Sequence, residues 1–164
     1  MPLARFSAVA GSAVNVNGRF ILYVFGGANI TEGEPGLSTV EAYNIATNRW
    51  TTKADLPGGL GSINGVGNIN GKLYLPGGIE YTGDGYLRWP YLQVYDPAAD
   101  TWTFGADMPV ATSGGVAGVI DNRLYVLAGD EPGSRPEARP ATSAQACPAG
   151  GSSGTIRYRI GGSA

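Results

Sequence analysis

The sequence predicts an all-β fold from two observations: a repeated unit of about 50 residues, and a composition suited to turns. Each unit contains a glycine pair, and then a tyrosine that is followed seven residues later by a tryptophan. The two complete copies, 51 to 52 residues apart, are Gly26-Gly27 with Tyr43 and Trp50, and Gly77-Gly78 with Tyr95 and Trp102. The 27 glycines and 11 prolines among 164 residues favour short strands joined by turns.

A third, partial copy keeps the same phase, since Ala128-Gly129 stands 51 residues after the second glycine pair. The units open at Met1-Pro2, Leu56-Pro57 and Met108-Pro109. This set of landmarks resembles the kelch repeat, in which each repeat forms one four-stranded blade of a β-propeller. The resemblance covers about residues 1–130. It implies a kelch-type β-propeller fragment of about two and a half four-stranded blades, over 1–55, 56–107 and, in part, 108–129.

The first unit predicts four strands. Phe6–Val16 is rich in small residues, which suit the crowded inner position, and Asn17-Gly18 is a hairpin signal. Phe20–Phe25 is a continuous apolar strand that ends at a glycine pair, where glycine permits a positive φ or a close backbone approach. A polar loop over residues 28–38 then leads to the outer strands, Thr39–Ile45 and Trp50–Lys53.

The second unit repeats this pattern more clearly, with a hairpin signal at Asn70-Gly71 and a long loop at Ile79–Tyr91. Its predicted strands are Ser62–Ile69, Lys72–Leu75, Leu92–Tyr95 and Thr101–Phe104. The third unit begins in the same way, with predicted strands at Gly114–Ile120 and Arg123–Leu127 around a turn at Asp121-Asn122. The pattern stops after Gly129.

Residues 130–164 differ in composition, being rich in Pro, Gly, Ser, Ala and Arg with little to bury, and they predict a low-complexity, disordered tail. One hypothesis is that the tail is an out-of-frame or spliced ending of a longer kelch gene. Within it, Ile156–Gly162 places a tyrosine three residues before a glycine pair, but out of phase with the repeat, and we interpret this match as chance.

Composition excludes several classes of function. A net charge of −2 gives no reason to expect a nucleic acid or a membrane as partner. The chain has no histidine and a single cysteine, Cys147, so we expect no metal site, no cofactor and no intrachain disulfide. No signal peptide is visible at the N-terminus, and the longest apolar run is too short to span a bilayer. The excess of arginine over lysine, nine to two, indicates a GC-rich, bacterial coding sequence.

The number of blades determines whether the propeller can close. Propellers close with roughly 4–8 blades, which is more than this sequence encodes. An open wedge of blades would expose apolar sheet faces and unpaired strand edges. We therefore expect further blades, either from a longer chain, which we favour, or from self-association of several copies.

The candidate binding residues lie on one face of the predicted propeller. Because strands alternate in direction, the loops after the second and fourth strands of each blade share a face, and the resemblance implies that this face and the mouth of the channel carry the binding site. Of its segments, Ile79–Tyr91 is the richest in aromatic and charged residues. Such residues give recognition surfaces a large contact area at low entropy cost. The candidates are Glu80, Tyr81, Tyr86, Arg88 and Trp89.

Some of these residues have a structural role as the alternative to binding. Trp89 and Tyr91 also fit a role in packing the loop onto its blade. Arg5 matches the Pro-x-x-Arg that follows the Met-Pro of many kelch blades, so it is either a ligand contact or the partner of a loop carboxylate. The repeated residues themselves are interpreted as structural. They are Gly26, Gly27, Tyr43, Trp50, Gly77, Gly78, Tyr95 and Trp102.

The sequence therefore predicts a module that binds a protein or a small ligand through propeller loops on one face, with no catalytic residue assigned. Two alternatives remain. The resemblance includes sugar-active members, such as sialic acid mutarotases and the copper oxidase that acts on galactose. The oxidase's copper site needs histidines, which this chain lacks, whereas a mutarotase-like site would draw on Glu80, Arg88 or a tyrosine. The second alternative is a truncated propeller fragment without function.

Overall fold

A computed structural model describes residues 2–14, 18–29, 36–82, 85–127 and 155–157. These residues form strands and turns and no helix, so none of their segments is a helix long and apolar enough to cross a membrane. The first blade is an antiparallel sheet in the order β1-β2-β3-β4. Its strands are β1 (Val9–Val14), β2 (Phe20–Phe25), β3 (Val40–Asn44) and β4 (Arg49–Lys53).

The second blade and part of a third repeat this sheet. The second contains β6 (Gly67–Ile69), β7 (Lys72–Pro76), β10 (Leu92–Asp96) and β11 (Thr101–Phe104), paired in that order. The third contains β12 (Val116–Ile120), β13 (Arg123–Leu127) and β14 (Thr155–Arg157). A smaller sheet joins β5 (Leu60–Gly61), β8 (Ile79–Thr82) and β9 (Gly85–Arg88). The predicted all-β propeller fragment, with its four-stranded blades, is confirmed.

The inner strands are shorter than predicted because the chain bends before them. Ser7 and Ser62 occupy corresponding places ahead of the two inner strands, and both have positive φ, of 54° and 48°. On the N-terminal side of each bend the backbone leaves the blade and pairs with the residues just after a glycine pair. Phe6 pairs with Ala28 in the first unit, and Gly61 pairs with Ile79 in the second.

The predicted hairpin turns are present wherever the structure describes them. Asn70 and Gly71 both have positive φ, of 51° and 80°, as a tight turn between right-twisted strands requires. Asp121 and Asn122 adopt the same conformation between β12 and β13. Asn17 lies outside the described residues, so the corresponding turn of the first blade stays a prediction.

The hydrophobic core lies between successive blades. One cluster joins the first two blades through buried residues such as Phe25, Val40, Leu73 and Tyr95. A second cluster joins the second and third sheets through Ile69, Leu92, Val94, Met108, Leu124 and Val126. Each blade is thus stabilised mainly by burial against its neighbours, as expected of stacked repeats.

The glycine pairs mark the places where the start of one unit crosses the preceding blade. Gly27 N–H donates to the Leu60 carbonyl at 2.8 Å, and Gly78 N–H donates to the Thr112 carbonyl at 3.1 Å. Buried Asn64 reinforces the second crossing, since its Nδ2 donates to the Thr112 carbonyl at 3.0 Å and its Oδ1 accepts from Gly115 N–H at 2.8 Å. The structural interpretation of the glycines is consistent with these contacts.

The repeated tyrosine and tryptophan face each other across the two outer strands. Tyr43 lies opposite Trp50, and Tyr95 lies opposite Trp102, with ring centroids 4.9 and 4.8 Å apart. In the second blade this pair also binds the first blade, because the Trp102 indole N–H donates to the Ala54 carbonyl at 2.9 Å.

Asp100 completes this junction between the blades. Its Oδ1 accepts from Ala54 N–H at 2.9 Å and from the Tyr95 hydroxyl at 2.5 Å. Burial raises the pKa of Tyr95 far above its ordinary value, and the hydrogen bond to the Asp100 carboxylate raises it further. Burial also raises the pKa of Tyr23, which packs edge-on against Tyr95 with ring centroids 5.6 Å apart.

Alkaline pH is therefore expected to destabilise the junction. Below about pH 10 the phenols are neutral in both the folded and the unfolded chain, so their stabilising effect is fully present. As pH rises further, only the unfolded chain ionises, and each such phenol lowers the free energy of unfolding by about 1.4 kcal/mol per pH unit. Chemical denaturation of the wild type and Tyr95→Phe is measured between pH 9 and 11, roughly the titration range of tyrosine. The free energy of unfolding should fall less steeply with pH in the variant than in the wild type. Equal slopes would contradict this account.

Only a small part of the predicted tail can be compared with the structure. Residues 130–154 and 158–164 lie outside the described residues, so their predicted disorder stays a prediction. Within the tail, Thr155–Arg157 pairs with β13 as β14, with Tyr125 opposite Arg157. This position corresponds to that of β3 beside β2 and of β10 beside β7, because β13 offers the same free edge for pairing.

Candidate functional site

The segment Ile79–Tyr91, predicted as a long loop, is largely a β-hairpin, and this is a correction to the sequence interpretation. Strands β8 and β9 pair in register from Ile79 opposite Arg88 to Thr82 opposite Gly85. Their residues include isoleucine, tyrosine and threonine, which favour strands. The arrangement gives the segment a fixed shape, so side chains that would have been scattered along a loop lie on two defined faces.

The hairpin is held to the propeller along one side. β5 pairs with β8, with Leu60 opposite Glu80, and Trp89 N–H donates to the Gly78 carbonyl at 2.9 Å. Leu60 is fully buried in the core between the first two blades. The order β5-β8-β9 therefore leaves β9 as the outer strand of this sheet.

One face of the hairpin carries its anchor. The Trp89 indole N–H donates to Glu80 Oε2 at 2.9 Å. The Trp89 ring lies over Gly58, where a Cβ atom would come 2.5 Å from ring atom Cη2. Trp89 is half-buried and packs against the core between the first two blades. These contacts support the structural alternative for Trp89, and they occupy the carboxylate of Glu80.

The opposite face carries Tyr81, Tyr86 and Arg88, because Tyr81 lies directly across from Tyr86 and side chains alternate along a strand. Tyr81 is half-buried, and its ring lies close to Gly61 and Gly36. The guanidinium carbon of Arg88 lies 5.1 Å from the centroid of the Tyr86 ring, within range of a cation–π interaction. Two of the predicted binding residues, Tyr86 and Arg88, are thus brought together away from Glu80 and Trp89.

Strand β9 exposes two large side chains, one on each face of the hairpin. Tyr86 is 52% exposed and Leu87 is 58% exposed. Sequence reasoning did not select Leu87, which lies opposite Glu80 and therefore on the face that carries Trp89. Tyr91, which follows the hairpin, is 40% exposed and contacts both Trp89 and Phe104 edge-on.

Arg5 lies apart from the hairpin residues. Its side chain is 1% exposed and forms an ion pair with Glu41, with Arg5 Nη2 at 2.8 Å from Glu41 Oε2. Arg5 Nη1 also donates to the carbonyls of Gly26 and Thr39 at 2.8 and 3.1 Å. These contacts support the structural alternative for Arg5, with the difference that its carboxylate partner lies on strand β3 rather than in a loop.

The described residues contain no group of three or more histidine, cysteine, aspartate or glutamate side chains placed to hold a metal ion. The chemistry available on the hairpin is that of a recognition surface, formed by exposed aromatic and aliphatic side chains beside a guanidinium. Such surfaces bind through contact area, hydrogen bonds and charge.

Comparison with known proteins supports the repeat assignment. A family model described as the Kelch motif matches residues 12–57. The chain is 35% identical over 113 residues to Kelch-like protein terF of Aspergillus terreus, covering 66% of this chain and 24% of that protein. It is 32% identical over 136 residues to Kelch-like protein 25 of Xenopus tropicalis, covering 79% of this chain and 22% of that protein. The chain thus spans about a quarter of the length of these relatives.

A solved structure shows the same fold. The chain superposes on YjhT with a TM-score of 0.63 and 22% sequence identity, covering 80% of this chain and 36% of that one. The repeat period, the four-stranded blades and these relatives agree with one another. The chain therefore carries kelch repeats, and it folds as successive blades of a kelch-type β-propeller.

Proposed function

We propose that this chain is a protein-interaction module that captures its partner through the β8–β9 hairpin. The observation that carries the proposal is the exposure of Tyr86 and Leu87 on strand β9 of a hairpin that Trp89 and β5 hold in place. Kelch repeats and the kelch-like relatives support the broader statement that the propeller serves in protein interaction.

Because the hairpin is anchored to the propeller, its affinity for a partner should be higher than that of a mobile loop. A mobile loop loses conformational entropy when it binds, whereas a hairpin that is already ordered loses much less. Tyrosine adds a large contact area with few rotatable bonds. An arginine over its ring supplies a charge that orients the partner. This combination fits recognition of a protein surface better than enclosure of a small molecule, which calls for a concave site.

The sugar-active alternative would draw on Glu80, Arg88 or a tyrosine, and Glu80 is the carboxylate among them. In the structure its carboxylate accepts a hydrogen bond from the Trp89 indole, which is a structural use of the group. Measured turnover of a sugar that is lost in Glu80→Gln, with the hairpin intact, would favour this alternative over the interaction module.

The proposal is tested by comparing capture between matched variants. Tyr86→Ala with Leu87→Ala is expected to lose its partner, with affinity falling about tenfold or more because each side chain contributes exposed apolar contact area. Phe20→Ala is the control, since Phe20 is 64% exposed but lies on the first blade. Quantitative capture from a lysate of the source organism should reveal proteins retained by the wild type and the control and lost from the hairpin variant. Equal retention by all three would contradict the proposal.

A further inference from the structure

We propose that β9 binds an extended segment of the partner as an additional strand, with an acidic side chain of that segment facing Arg88. This inference rests on the proposed function and adds the way in which the partner binds. The observations behind it are the open edge of β9, the exposure of its residues, and the side chains that this strand presents.

The backbone of β9 has hydrogen-bonding groups that point away from the hairpin. In an antiparallel pair, residues alternate between those that exchange hydrogen bonds with the partner strand and those whose N–H and C=O point away from it. Trp89 N–H donates to the Gly78 carbonyl, and this bond between directly opposed residues fixes the phase of the alternation along the hairpin. Leu87 therefore bonds with Glu80, whereas the N–H and C=O of Tyr86 point outward from the edge.

The outer edge of β9 is open among the described residues. β9 is the last strand in the order β5-β8-β9, and no strand among the described residues pairs with its outer side. Gly85, Tyr86 and Leu87 are all exposed. An edge of this kind is a template for another strand. A partner that adds there gains main-chain hydrogen bonds, while the side chains on either face supply specificity.

The side chains of β9 determine which side chains of an added strand would fit beside them. Tyr86 and Arg88 lie two residues apart on one face of the strand. A strand added beside β9 places residues of the same spacing next to them. An aromatic or β-branched side chain pairs well with Tyr86, and a carboxylate pairs with Arg88. The geometry thus points to an extended segment that contains an acidic residue two positions from a β-branched or aromatic residue.

A defined peptide tests this inference on the full-length chain. The probe is the fluorescein-labelled peptide Thr-Val-Glu-Ser-Val-Thr, and the control is the same peptide with every backbone amide N-methylated. Fluorescence anisotropy is expected to show binding of the first peptide and at least tenfold weaker binding of the second. Equal binding of both peptides, or no binding of the first at about millimolar concentration, would overturn the inference.

Protein variants separate the backbone from the side chain of residue 86. Tyr86→Ala removes the ring and keeps the N–H, whereas Tyr86→Pro removes both, and proline is tolerated at an edge position whose N–H faces solvent. Affinity for the peptide is expected to be at least tenfold lower in Tyr86→Pro than in Tyr86→Ala. Equal affinities would overturn the inference. The NMR signal of the Trp89 indole N–H reports whether the hairpin stays intact, and the N-methylated peptide provides a test that needs no variant.

Two comparisons complete the design. Replacing the peptide's glutamate with glutamine should weaken binding to the wild type several-fold and leave binding to Arg88→Gln unchanged; equal losses with both proteins would contradict the acidic contact.

The experiments distinguish failure of strand addition from failure of the proposed function. If the Ala variants lose their partner in the capture experiment while the two peptides bind equally, strand addition is wrong and the interaction site stands. If capture is unaffected by those variants, the proposed function itself is wrong.

Discussion

Replacement of Gly77 with alanine is expected to destabilise the chain by more than about 3 kcal/mol, a large fraction of the stability of an ordinary domain. Gly77 has φ +65°, which an L-residue adopts only at a cost. A Cβ atom there would also press on the carbonyl oxygen of Thr112 and lie 2.6 Å from Met108 Cε and 2.7 Å from Asn64 Nδ2. The carbonyl belongs to the backbone that carries the next unit across the blade, so the clash cannot be relieved by a side-chain rotation.

Gly114 provides a matched control for this substitution. Its φ of +67° is almost the same, but a Cβ atom added there meets nothing within 4 Å. Gly114→Ala should therefore cost only the backbone term, about 1–2 kcal/mol. Equilibrium denaturation of the two variants separates the contributions of crowding and conformation. Similar losses in both variants would show that the crossing at Gly77 is not a tight contact.

The second large effect concerns the ion pair of Arg5 and Glu41. Glu41→Gln is expected to lower the free energy of unfolding by about 3–5 kcal/mol, because a buried guanidinium would lose the carboxylate that compensates its charge. The side chains of Arg5 and Glu41 are 1% and 7% exposed, so water cannot take the place of the missing group. Urea denaturation measures the loss directly.

The second blade suggests the control for this experiment. At the positions that correspond to Arg5 and Glu41, the second unit carries Leu60, on β5, and Gln93, on β10, and both are fully buried. The double variant Arg5→Leu with Glu41→Gln reproduces that neutral combination and leaves no unpaired buried charge. It is expected to be more stable than Glu41→Gln alone. A double variant as unstable as the sum of the two single changes would show that the ion pair is not a coupled unit.

The blades could be predicted from sequence because the repeated residues are those that pack one blade on the next. Tyr95 and Trp102 contact each other and the first blade, and the corresponding residues recur wherever that packing recurs. Continuous apolar runs predicted strands such as Phe20–Phe25 and Arg123–Leu127 with the bounds that the structure shows. Repetition therefore carried most of the information about the fold.

The site was predicted only in part because it depends on what does not repeat. The Ile79–Tyr91 segment contains the richest candidates, but its hairpin has no counterpart among the described residues from which a register could be inferred. Without that register, Glu80 and Tyr86 could not be assigned to opposite faces. Arg5 and Glu41 are 36 residues apart in the chain, so their contact follows from the packing of the blade rather than from any local pattern.

Cross-linking from the hairpin tests the central claim most directly. A photoreactive phenylalanine analogue is incorporated in place of Tyr86 in one sample and in place of Phe20 in another, since both side chains are more than half exposed. Irradiation in a lysate of the source organism, followed by mass spectrometry, identifies what each position contacts. The account predicts a protein that is cross-linked from position 86 and not from position 20. The same set of proteins from both positions would contradict the claim that the hairpin is a binding site.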